Sequence, residues 1–182
     1  MNSLKKNIVK IPDTSEGNFV IKYFPNWSIP YLYLSRADRP TGTWLLLLPC
    51  LFGILLACIE KNNFSISFYE IWLLIACSIG AFLMSGAGCT WNDILDKDYD
   101  AKVKRTQNRP IPSGQVTIRR AIYWMIVQSL LAFTILLTFN KFSILIACLS
   151  LLLVAIYPLA KRFTWWPQIF LGLAFNLSLI HI

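Results

Sequence analysis

Four of the nine acidic residues in this 182-residue chain fall between Asp93 and Asp100. The stretch reads Trp91-Asn92-Asp93-Ile94-Leu95-Asp96-Lys97-Asp98-Tyr99-Asp100, and it closes an apolar run of membrane-spanning length. Carboxylates beside a hydrocarbon core are costly, and in membrane chains such residues mark function. Read as a helix, the stretch puts Asn92, Asp96 and Asp100 at i, i+4 and i+8, on one face. At about 100° per residue Asp93 joins them within an arc of roughly 100°, and Asp98 points the other way. Like charges stacked one turn apart repel. A face of this kind wants cations, most simply a divalent metal held by oxygen ligands.

The cations that follow sharpen the chemistry. Lys102, Lys104, Arg105 and Arg109 lie just beyond the acidic face, and Tyr157 and Lys161 stand one turn apart at the end of a later apolar run. Carboxylates next to cations at a membrane surface suit a phosphate ester carrying Mg²⁺, which takes a few carboxylates and shares its other positions with phosphate oxygens and water. Arginine and lysine hold the remaining phosphate charge. An apolar space between helices would take a lipid tail, so the implied substrate is an amphiphile with a pyrophosphate head. Lys97, Lys102, Arg119 and Arg120 read more simply as a solvated basic flank.

The elements that must position these residues are membrane spans. The chain is 56% hydrophobic with a mean hydropathy of +0.55, too apolar for an ordinary soluble domain. Its charges are clumped, and the uncharged runs between clumps predict helical spans over 43–59, 71–91, 121–139 and 142–159, with a partial fifth over 167–182. The expected fold is therefore all-α, a polytopic transmembrane helical bundle. Residues 1–35 read as a polar arm whose Tyr23, Phe24, Trp27, Tyr31 and Tyr33 would lie at the membrane interface. Residues 36–182 form the membrane domain. Ser85-Gly86-Ala87-Gly88-Cys89 lets neighbouring helices approach closely just before the acidic face. Fifteen of the basic residues fall on one side of this topology and only Lys61 and Lys141 on the other. That bias puts the arm, the acidic face and the Lys161 loop on the cytoplasmic or matrix side of a bacterial or mitochondrial inner membrane.

Several function classes drop out. The five cysteines sit in or at the ends of apolar runs without a CxxC pair, which argues against zinc, and the lone His181 assembles no ligand set. There is no P-loop and no GxGxxG. The basic residues flank spans, so nucleic acid is not an expected partner. The rival from another class is a non-catalytic polytopic membrane protein, a cation transporter or an assembly subunit. It predicts carboxylates at mid-bilayer depth, whereas these lie at a span's end.

The pattern Asn92-Asp93-x-x-Asp96-x-x-x-Asp100, followed by Val103-Lys104-Arg105-Thr106-x-Asn108-Arg109-Pro110-x-Pro112-Ser113-Gly114, closely resembles the first aspartate-rich motif of the UbiA prenyltransferases. Arg36-x-Asp38-Arg39-Pro40-x-Gly42 and Tyr157-Pro158-x-x-Lys161-Arg162 match that family too. The pattern is most similar to the branch that prenylates 4-hydroxybenzoate in ubiquinone synthesis. The resemblance implies an all-helical membrane fold with a central cavity. It implies Mg²⁺-assisted departure of pyrophosphate from a polyprenyl diphosphate and transfer of the prenyl group to an aromatic acid. Carried over by position, Asn92, Asp93, Asp96 and Asp100 are the metal set, with Asp96, Asp100 and Lys161 as catalytic residues. Arg105, Arg109 and Tyr157 would meet pyrophosphate, and Arg36 or Arg162 the acceptor carboxylate. The family's second aspartate-rich motif finds no counterpart, since no acidic residue follows Asp100. The chain is therefore expected to be an N-terminal portion that does not turn over by itself.

Overall fold

A bilayer core offers no hydrogen-bond partner to a backbone, so long uncharged runs must satisfy their amides internally, as helices. The computed structural model describes residues 19–60, 67–160, 169 and 172, and among these there is no strand. The helices are α1 (Phe19–Tyr23), α2 (Ile29–Leu34), α3 (Thr41–Glu60), α4 (Phe68–Leu95), α5 (Lys97–Asp100), α6 (Ile118–Leu136) and α7 (Lys141–Ala160). Helices α3, α4 and α6 are long and apolar enough to cross a membrane, and α7 carries a further apolar stretch over Lys141–Leu152. The run 167–182 lies outside the described residues except for 169 and 172, as do Lys161 and Arg162.

Helix α4 is the organising element. It opens on a capping box: the Ser67 backbone N–H donates to Glu70 Oε2 at 2.7 Å, and Ser67 Oγ accepts from the Tyr69 N–H at 3.3 Å. It runs 28 residues, about 42 Å at 1.5 Å per residue. A hydrocarbon core is about 30 Å thick, so an upright α4 has turns to spare for raising Asn92 and Asp93 to headgroup level. It packs against α2, α3, α5, α6 and α7.

The small residues near its end explain how closely its neighbours come. A Cβ on Gly42 of α3 would stand 2.6 Å from Ser85 Oγ. One on Gly86 would meet Gln128 Nε2 of α6 at 2.6 Å and Ser35 Cβ at 2.9 Å. Helix α2 is tied to the same corner. Its Leu34 is buried with Ile111, Val116 and Ala121, so the arm, the connection after α5 and the start of α6 share one core. A second cluster, Val20, Ile29, Tyr33 and Ala37, folds α1 onto α2. Tyr23 and Trp27 remain outside it, exposed.

Candidate functional site

The acidic face survives a helix break. Helix α4 ends at Asp96 and α5 restarts at Lys97. Even so, the Asp96 N–H donates to the Asn92 carbonyl at 2.9 Å and the Asp100 N–H to the Asp96 carbonyl at 2.8 Å. Two successive i→i−4 bonds therefore join the three positions, and their one-turn spacing holds through the break. Asn92 and Asp96 are half-buried, Asp100 is buried and Asp98 is exposed.

Asp93 has a different setting. Its carboxylate is 1% exposed, and its Oδ1 accepts from Arg36 Nη2 at 2.8 Å and from Arg109 Nη1 at 3.2 Å. Arg109 Nη1 also donates to Asp100 Oδ2 at 2.7 Å. One guanidinium thus bridges the two carboxylates one α4–α5 segment apart. The loop that delivers Arg109 is closed by its own bonds. Buried Thr106 donates from Oγ1 to the Asp100 carbonyl at 2.9 Å, and the Val116 N–H donates to the Pro110 carbonyl at 2.9 Å. Gly114, with φ of 77°, supplies the left-handed turn between them.

Arg36 comes from the other side. It follows α2 in a Schellman turn, with the Arg36 N–H on the Tyr33 carbonyl at 3.1 Å and the Ala37 N–H on the Leu32 carbonyl at 3.0 Å. Burial is the largest single influence and works to lower its pKa, but the Asp93 carboxylate, together with Cys89 and Asp38, turns the net direction upward. The residue before it, Ser35, is buried and accepts on Oγ from Trp124 Nε1 at 2.8 Å and from Gln128 Nε2 at 2.9 Å. Both are on α6, so the corner carrying Arg36 is fastened to α6 while its guanidinium is fastened to α4.

Among the residues singled out in the sequence, the structure gathers Asn92, Asp93, Asp96, Asp100, Arg36 and Arg109 at one corner. Arg105 lies exposed on the loop with Lys102 and Lys104. Arg36, expected to face an acceptor carboxylate, has its Nη2 on Asp93. Tyr157 belongs to α7, with its side chain outside the described residues, and Lys161 and Arg162 also lie outside them. Ser35, Thr106, Trp124 and Gln128 carry structural bonds that sequence spacing did not single out. Their partners are far apart in the chain, apart from Thr106, whose place in the motif was visible but whose bond was not.

Among the described residues, no group of three or more acidic, thiol or imidazole side chains is placed to hold a metal ion, so Asp93, Asp96 and Asp100 do not assemble into one such group. Magnesium is commonly bound through one or two carboxylates together with substrate phosphates. Asn92, Asp96 and Asp100, spaced along one face with basic side chains nearby, fit such an open site.

Apolar helices of spanning length that meet at an acid–base cluster on a span's end define a polytopic helical membrane protein. The chain belongs to the UbiA prenyltransferase family, which its residues 46–180 match. It is 46% identical over 157 residues to a protein of Rattus norvegicus named 4-hydroxybenzoate polyprenyltransferase, mitochondrial, covering 86% of this chain and 41% of that one. The protein of the same name from Arabidopsis thaliana is 46% identical over 161 residues, covering 88% and 38%. That from Homo sapiens is 48% identical over 147 residues, covering 81% and 38%. The chain thus spans about two-fifths of the length of these curated relatives. No solved structure matches it.

Proposed function

We propose that this chain provides the first half of a polyprenyl-transfer site, in which a polyprenyl diphosphate donates its prenyl group to an aromatic acid, 4-hydroxybenzoate. The observation that carries this reading is the register of Asn92, Asp96 and Asp100, held one turn apart through the helix break beside Arg109. Those three side chains would hold Mg²⁺ together with the pyrophosphate. Bound there, Mg²⁺ would neutralise charge on the leaving group, the largest electrostatic need of the step. The allylic C–O bond breaks with its electron pair leaving on pyrophosphate. A ring carbon beside the acceptor hydroxyl bonds to the prenyl carbon and loses its proton.

The chain's own residues bind and orient. Arg109 orders the loop by its bonds to Asp93 and Asp100, and exposed Arg105 would meet phosphate from the loop's outer face. Tyr157 and Lys161, one turn apart in the sequence, are assigned to the pyrophosphate side, and Arg162 to the acceptor carboxylate, since Arg36 is engaged by Asp93. The excess of basic flanks supports a cytoplasmic or matrix orientation for this side in an inner membrane.

The test is pyrophosphate binding by the chain in detergent micelles, with and without Mg²⁺. Wild type should bind only with Mg²⁺. Asp96→Ala should lose that binding while still fractionating with membranes. Retained Mg²⁺-dependent binding in Asp96→Ala would remove Asp96 from the site.

A further inference from the structure

Among the described residues, Arg36 is the only non-glycine with a positive φ, 54°. It fills the position after α2 that glycine fills without strain. Strain of this kind persists only where surrounding structure enforces it, and it clusters at functional sites. Here the enforcing contact is visible. From that turn the guanidinium reaches Asp93 Oδ1 at 2.8 Å, across 57 positions of chain. Arg109 reaches the same oxygen from the loop at 3.2 Å. A single carboxylate oxygen therefore joins the α2–α3 corner, the end of α4 and the loop after α5.

Nothing about that carboxylate faces outward. The side chain is 1% exposed, and Oδ2 is buried without a hydrogen-bond partner. A metal-borne pyrophosphate arriving at the acidic face meets half-buried Asn92 and Asp96 first. Asp93 differs from them in access: it is buried where they are half-buried.

We propose that Asp93 is a positioning residue rather than a metal donor: its buried carboxylate clamps Arg36 and Arg109, and Arg109 in turn holds Asp100 and the loop against the acidic face. The geometry stands by itself. The functional consequence rests on the pyrophosphate reading given above.

The experiment uses the 182-residue chain in micelles, with Mg²⁺ and inorganic pyrophosphate as probes and trypsin as a reporter of loop order. Losing a metal donor raises the Mg²⁺ concentration needed at fixed pyrophosphate. Losing a positioning residue weakens pyrophosphate at saturating Mg²⁺ and leaves the Mg²⁺ midpoint in place. Asp96→Asn should show the first pattern and Asp93→Asn the second, with pyrophosphate weakened about 10- to 100-fold, as for residues that orient a site through another. Arg36→Gly should weaken it too, and the double variant Asp93→Asn/Arg36→Gly should be no worse than Asp93→Asn alone, because the Arg36 contact is already lost there.

Trypsin should cleave after exposed Lys102, Lys104 and Arg105 faster in Asp93→Asn than in wild type. A Mg²⁺ midpoint that moves in Asp93→Asn as it does in Asp96→Asn would overturn the proposal, and so would unchanged loop cleavage. Should wild type bind no Mg²⁺–pyrophosphate, the site reading fails and the cleavage rates alone decide the clamp. If Asp93→Asn does not fold, Arg109→Gln and Arg36→Gly release the same oxygen from its two partners and carry the same comparisons.

Discussion

Ser35 shows how a single hydroxyl can govern a corner. Its Oγ is the shared acceptor for Trp124 Nε1 and for Gln128 Nε2, and Gln128 Oε1 is buried with no partner. Ser35→Ala would leave both ends of the Gln128 amide unsatisfied inside the protein. An orphaned buried polar group costs about 1–3 kcal/mol. Thermal unfolding of the chain in detergent should therefore show Ser35→Ala melting below wild type. Replacing both partners with apolar groups can be nearly neutral, so Ser35→Ala/Gln128→Met should recover most of the loss. A double variant as weak as Ser35→Ala would show that the bond to Trp124 is the one that matters. At this scale the sequence was partly readable. Asn92, Asp96 and Asp100 share a face because helical spacing puts them there, whatever their neighbours do. Asp93 shares the same arc, but its partner is chosen by Arg36 and Arg109, 57 and 16 positions away. No local signal encodes that. The left-handed turn at Arg36 was equally hidden, because glycine is the usual marker of such a turn and glycine is absent there.

Helices were legible as elements because charge marks their ends, although α6 stops at Leu136, short of the run expected to reach 139. The uncharged run expected from 43 lies within a helix that begins at Thr41, and the run expected from 71 lies within one that begins at Phe68 behind its Ser67 cap. What charge could not mark was the break at Asp96, where α4 gives way to α5 without disturbing the one-turn ladder. The small-residue stripe announced close approach without naming the neighbours. The structure separates its glycines. A Cβ on Gly86 would stand 2.6 Å from Gln128 Nε2 and 2.9 Å from Ser35 Cβ, whereas one on Gly88 would meet nothing within 4 Å. Gly86→Ala should therefore overpack the α4–α6 contact and cost about 1–3 kcal/mol. Gly88→Ala, in open space on a helix, should be neutral or stabilise by up to about 1 kcal/mol through helix propensity. Melting temperatures of the two variants in one detergent check both. Equal losses would mean that the close α4–α6 approach at Gly86 does not set the cost.

For the molecule as a whole, the question is how much of a reaction this chain can run. Its carboxylates end at Asp100, and the ones at the site are already committed in part: Asp93 to two arginines and Asp100 to Arg109. Asn92 and Asp96 complete the ladder. A departing pyrophosphate concentrates several negative charges, and catalysis requires that the groups stabilising it be fixed before they develop. A few donors on one helix can bind such a group together with Mg²⁺. They surround it from one side only, and the resemblance to the family implies a second acidic motif facing the first. Binding and turnover should therefore separate. Membranes holding only the 182-residue chain, supplied with polyprenyl diphosphate, 4-hydroxybenzoate and Mg²⁺, are expected to yield no prenylated acid, whereas the chain in micelles is expected to take up Mg²⁺–pyrophosphate. Chromatography of the lipid extract checks the first statement and calorimetry the second. Product that appears and depends on Mg²⁺ would show that one acidic ladder suffices. In that case Asp96→Ala should abolish the product, because no other described carboxylate on this face remains both accessible and in register.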